Sequence, residues 1–174
     1  MRPALTLVHC VPPRGARLHG WELLWSPLKW PPFEPQLWVQ EQDVWGLLGG
    51  EDEVIHDPGA SLDALAREML REPPRLPGSV RIITRQPLRL EATVYDLEQQ
   101  PSSRPDWVRR ALSATLSLAA TEKLGRIALP PLGTRPGALS EAEWMQSLET
   151  ALTIHAGSAG RLWIIEAERA PPAE

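Results

Sequence analysis

Residues Arg126 to Glu143 read RIALPPLGTRPGALSEAE: a strand, a glycine-bearing loop and a capped helix, in that order. Ile127-Ala128-Leu129 is too apolar to face water on either side, which predicts a strand buried on both faces, and Pro130-Pro131 stops it. Ser140 is placed to cap the following helix, with Glu143 three residues on closing a capping box. Between them, residues Leu132 to Leu139 put backbone N–H groups and the Arg135 guanidinium near the positive end of a helix, as phosphate sites do. The other reading of the same residues is an ordinary strand-to-helix turn, because short glycine loops are common.

Working outward, the periodicity alternates between strand and helix. Ala4 to Val11, Trp21 to Trp25 and Gln36 to Gln40 read as short strands bounded by Pro or Gly. Leu62, Leu65, Ala66, Met69 and Leu70 then share one helical face behind a Ser61 cap, ended by Pro73-Pro74. Val80 to Thr84 and Leu90 to Leu97 are expected as strands, with Leu90, Ala92 and Val94 on one face of the second. Asp106 to Leu124 repeats Val108, Leu112, Leu116 and Ala119 on one stripe, and Gly125 is expected to end that helix in the left-handed conformation. Met145, Leu148, Leu152 and His155 line a last helix, and Leu162 to Ile165 reads as a buried final strand. Strands alternating with helices imply an α/β fold: a mixed, mostly parallel sheet with helices on both faces.

The chain of 174 residues is expected to form a single domain over 1–169, with an unstructured tail at 170–174. That length suffices to bury roughly two-thirds of the unfolded surface. Cys10 is the only cysteine, so no internal disulfide can form, and a reducing, cytoplasmic location is expected. No signal-like start and no long apolar run appear, which argues against a membrane partner. Net charge is −4, and Lys29 and Lys123 are the only lysines. Duplex binding requires neutralising several phosphates, so a broad nucleic-acid surface is not expected and any phosphate contact should be local.

The segment ALPPLGTRPGALSEAE resembles the second ligand loop of macro domains, the ADP-ribose-binding family, whose bacterial members often read IALPxLGTGxGGLxxEE there. Arg135 stands where the family has glycine, Pro136 follows it, and Ala138 replaces a second glycine. Leu47 to His56, LLGGEDEVIH, is similar to the family's LLGGGGVDGAIHRAAG loop, and LRLEATVYDL to its internal strand LPAxYVIHTV, with Tyr95 where histidine usually falls. The resemblance covers about Gln36 to Glu166 and implies a macro-like three-layer sandwich. It further implies that Gly133, Thr134, Arg135, Pro136, Gly137 and Ala138 face the pyrophosphate and adjoining ribose, with Gly49 and Gly50 approaching from the facing loop. The family's Gly-Asp-Ile and VNAAN segments are missing. His9-Cys10-Val11 falls at the first position, and Gln42 or Asp43 is the polar replacement at the second, on the ribose side. With that asparagine absent, no catalytic residue is assigned, and binding of an ADP-ribose-type small molecule is expected ahead of hydrolysis. The alternatives are a de-ADP-ribosylating or phosphoesterase variant, in which Asp43 or Glu41 orients water, and a scaffold that has lost the ligand. No cofactor is implied.

Trp21, Trp25, Trp30, Trp38 and Trp45 crowd into residues 21–45. They offer either a stacking face for a base or a protein partner, or sheet packing, and parity puts Trp21 and Trp25 on one strand face. Packing is the commoner case. His9, His19, His56 and His155 lack metal-ligand spacing, so no metal is expected, and His155 reads as a core or helix-end residue. Glu51-Asp52-Glu53 reads as a solvated turn, and neither a nucleophile elbow nor a Walker pattern is present.

Overall fold

The computed structural model describes residues 14–46, 48, 73–135 and 138–166. The strand expected at Ala4 to Val11, the helix expected behind Ser61, and Gly49, Gly50, Pro136, Gly137 and the 170–174 tail lie outside the described residues. Among the described residues seven strands form one sheet: β1 (Arg14–Leu18), β2 (Trp21–Pro27), β3 (Leu37–Asp43), β4 (Val80–Arg85), β5 (Leu88–Tyr95), β6 (Arg126–Leu129) and β7 (Gly160–Glu166). Among the described residues two helices accompany them, α1 (Pro105–Thr121) and α2 (Glu141–Ile154). The order across the sheet is β1-β2-β7-β6-β3-β5-β4. The five inner strands are mutually parallel, and β1 and β4 pair antiparallel at the two edges.

The register explains the two layers of apolar residues. Leu37, Val39, Leu90, Ala92, Ile127, Leu129, Leu162 and Ile164 fall on one face and pack with α1 and α2, together with Trp21, Leu23 and Trp25. Val108, Ala111, Leu112, Thr115, Leu116 and Ala119 form the buried stripe of α1, and Trp144, Leu148, Ala151 and Leu152 that of α2. On the other face Ala128 and Trp163 are also fully buried. β6 is the middle strand of seven, and its three apolar residues are enclosed on both sides, as its composition predicts.

The β2–β3 connection lies against this second face. Phe33 meets Trp163 edge-on at 6.5 Å between ring centroids, Trp38 meets it at 5.5 Å, and the Trp163 indole N–H donates to the Ser26 carbonyl at 3.0 Å. Ser26 Oγ in turn donates to the Trp30 carbonyl. Trp21, Trp25 and Trp38 therefore serve packing, whereas Trp30 is half-exposed.

Two local expectations are corrected, and one strand is additional. The left-handed residue ending α1 is Lys123, with φ 55°, and not Gly125. The N–H of Lys123 donates to the Ala120 carbonyl and that of Leu124 to the Ala119 carbonyl, the paired bonds of a Schellman closure that needs its left-handed residue two positions before Gly125. Gly125 instead bridges the sheet's far end, donating to Gln36 Oε1 and accepting from the Arg161 N–H. Strand β5 stops at Tyr95, so Leu97 lies beyond it and is exposed. Strand β1 had no counterpart among the expected strands.

Candidate functional site

Parallel strands β3, β5 and β6 deliver their C-terminal ends to one edge of the sheet, where open α/β sheets place their sites. The loop after β6 turns tightly there. Leu132 is fully buried, and Gly133 has φ +77°, a conformation that a side chain disfavours. A Cβ on Gly133 would lie 2.6 Å from Ser103 Oγ and 2.8 Å from Val108 Cγ2, so close approach of loop and helix requires glycine as well. Thr134 Oγ1 donates to the Pro131 carbonyl, the Leu139 N–H to that of Gly133, and the Ala138 N–H to that of Arg135. Ser140 then starts α2 with the full capping box. Hydrogen bonds from the Ser140 backbone and hydroxyl hold the Glu143 carboxyl below its ordinary pKa.

Glu41, near the end of β3, lies on the α1/α2 face of the sheet, and its carboxylate is the hub of this edge. Glu41 Oε2 accepts from the Gly133 N–H at 3.1 Å and from the Tyr95 hydroxyl at 3.2 Å. Glu41 Oε1 accepts from Arg135 Nε at 2.6 Å. The Tyr95 hydroxyl also accepts from the Arg135 backbone N–H at 2.9 Å, and the guanidinium lies 5.9 Å from the Tyr95 ring centroid. Donors from the ends of β5 and β6 thus converge on one anion supplied by β3.

The electrostatics follow from that convergence. Burial, and then the charge of Glu41, push the Tyr95 phenol well above its ordinary pKa, which favours the neutral donor. Partial burial works against the Arg135 cation, but the hydrogen bond and charge of Glu41 outweigh it, leaving the guanidinium's pKa above its ordinary value. The Arg135 side chain is 48% exposed and that of Glu41 only 12%, so the pair is half open to solvent on the arginine side.

Asp43 and Gln42 are placed differently from Glu41. Asp43 is fully buried, and its carboxylate accepts from the Trp45 N–H at 2.6 Å and the Leu48 N–H at 2.7 Å. Gln42 Oε1 accepts from the N–H groups of Asp43 and Leu48. Both side chains fix the start of the loop after β3. Arg135, Gly133 and Thr134 are brought to the same edge, and Ala138 sits half-buried beyond them. The sequence pattern does not mark Tyr95, Ser103 or Glu41 as ligand contacts, and Glu41 enters there only as a carboxylate able to orient water. Ser103 Oγ is buried beneath Gly133 with no hydrogen-bond partner among the described residues.

Among the described residues no cluster of three or more His, Cys, Asp or Glu could hold a metal ion, and no helix is long and apolar enough to cross a membrane. His155 is the C-cap residue of α2 and is partly exposed.

No protein-family model and no curated protein matches the sequence. Solved structures do match by shape. The macrodomain of Thermus aquaticus DarG aligns with TM-score 0.58 and 19% identity, over 85% of this chain and 100% of that one. The Oceanobacillus iheyensis macrodomain with ADP aligns with TM-score 0.61 and 16% identity, over 88% of this chain and 87% of that one. The macrodomain of Mycobacterium tuberculosis DarG aligns with TM-score 0.54 and 13% identity, over 78% and 92%. The chain therefore has the macro-domain fold, an α/β three-layer sandwich. At these identities the likeness establishes the fold alone.

Proposed function

We propose that this domain binds ADP-ribose or a related phosphorylated nucleoside at the C-terminal edge of its sheet, and acts as a binder and not as a hydrolase. The supporting observation is that the edge already holds an anion. The Gly133 N–H, the Arg135 guanidinium and the Tyr95 hydroxyl all point at one carboxylate, so the donors of this loop are arranged around a negative group. A phosphate oxygen can accept from the same donor set. The fold neighbour named with ADP supports the nucleotide class. Hydrolysis is disfavoured because Asp43 and Glu41, the carboxylates able to orient water, are committed to backbone N–H groups, to Tyr95 and to Arg135.

A second proposal, a scaffold without ligand, draws on the same carboxylate, which satisfies the loop's donors internally. Calorimetric titration with millimolar ADP-ribose separates the two. A binder releases or absorbs heat and gains stability, about 2.7 kcal/mol when ligand reaches about one hundred times Kd. Silence toward ADP-ribose and related nucleotides leaves the scaffold.

A further inference from the structure

We propose that Glu41 is a resident anion that sets the charge selectivity of this site, and that a phosphate-bearing ligand enters only by displacing its carboxylate from Gly133 and Arg135. The proposal rests on the binding function above and names the residue that controls it. Three features carry it.

The first is competition for donors. The N–H of Gly133 has one hydrogen, and it is directed to Glu41 Oε2 at 3.1 Å, so an incoming phosphate oxygen cannot use that donor until the carboxylate withdraws. Arg135 Nε is engaged in the same way, at 2.6 Å. The second is charge. A pyrophosphate brought beside an ionised Glu41 meets like-charge repulsion in a site only partly open to water, whereas a neutral nucleoside does not. The third is the means of release. Arg135 is 48% exposed and sits on a surface loop, so its side chain can swing with a ligand, while Tyr95 is buried at the end of β5 and stays to hold the vacated carboxylate. The Tyr95 hydroxyl bonds both to Glu41 and to the Arg135 backbone, which ties the carboxylate to the loop it faces. Asp43, two residues on, is fully buried and accepts from the Trp45 and Leu48 N–H groups, which places Glu41 and not Asp43 against the donor loop.

The test compares ADP-ribose, inorganic pyrophosphate and adenosine on the parent and on Glu41→Gln, which retains a carbonyl acceptor for Gly133 and Tyr95 but removes the charge. The expected result is about tenfold tighter binding of ADP-ribose and pyrophosphate by Glu41→Gln, equivalent to about 1.4 kcal/mol, with adenosine unchanged. Arg135→Ala is expected to weaken ADP-ribose binding in both backgrounds, and by more in Glu41→Gln, where the guanidinium no longer has a carboxylate to leave, a coupling that a merely structural role would not produce. A parent that binds ADP-ribose while Glu41→Gln binds it equally or more weakly overturns the inference and leaves the binding function standing. Silence of both proteins toward all three probes overturns both. In the parent itself, independent of any variant's folding, ADP-ribose should shift the Gly133 amide and Arg135 Nε–H resonances while adenosine leaves them in place. Unmoved resonances on saturation with ADP-ribose overturn the inference.

Discussion

Tyr95 is the only tyrosine in the chain, and its environment makes it a reporter of the site. It is 1% exposed, donates to Glu41 and accepts from the Arg135 N–H. Its folded pKa is raised by burial and by the Glu41 charge, so the native state holds its proton where the unfolded chain has lost it. The stability this contributes is complete below the unfolded value of about 10 and falls as pH rises above it, by up to about 1.4 kcal/mol per pH unit. Tyrosinate absorbance should therefore appear only together with alkaline unfolding, and Tyr95→Phe should flatten the decline in stability above that pH. A tyrosinate signal titrating near the ordinary value in folded protein would show that the phenol is open to water and that its bond to Glu41 is not formed. Gly133 shows the complementary constraint. It is confined by its positive φ and by Ser103 and Val108, so its presence does not by itself signal a ligand.

The Schellman closure of α1 uses Lys123 in the left-handed region, which costs a non-glycine residue about 1–2 kcal/mol. Lys123→Gly removes that strain and raises the entropy of the unfolded chain, which takes back part of the gain. A net stabilisation of about 0.5–1 kcal/mol is expected in urea unfolding, with the slope unchanged. A destabilised variant would mean that the lysine side chain contributes more than its backbone strain removes.

The same terminus shows where sequence patterns stop informing. The stripe of α1 follows from its periodicity, and β6 from three apolar residues before two prolines, because burial imposes a period on the sequence. The choice between Lys123 and Gly125 as the left-handed residue depends on where the last turn closes, and both residues are compatible with the pattern. β1 is RGARL, largely exposed and held to β2 through its backbone ladder, so no alternation marks it. At the site, the glycine loop and Arg135 are visible as local features. The role of Glu41 is not, since its bonds to Gly133 and Arg135 span 92 and 94 residues and leave no local signature.

At the scale of the molecule, one sheet of seven strands joins residues from Arg14 to Glu166, and Trp163 lies near its centre. The indole is fully buried on the face away from α1 and α2, meets Phe33 and Trp38, and donates to the Ser26 carbonyl, so it joins β2, β3, β7 and the β2–β3 connection. Truncating a buried tryptophan costs about 3–5 kcal/mol. Against a domain stability of about 5–15 kcal/mol, that is between about a fifth and the whole of it. Trp163→Ala should therefore lower the urea midpoint sharply. The second-face residues share their strands with the α1/α2 core, since Ala128 and Trp163 alternate with Ile127, Leu129, Leu162 and Ile164 along the same two strands. The two layers should not melt separately. Tryptophan fluorescence, which samples both faces, and far-ultraviolet circular dichroism should trace one coincident transition in the parent and in Trp163→Ala, with similar slopes. An early fluorescence transition preceding the loss of secondary structure would show instead that the Phe33–Trp38–Trp163 layer unfolds on its own while the helix-covered face persists.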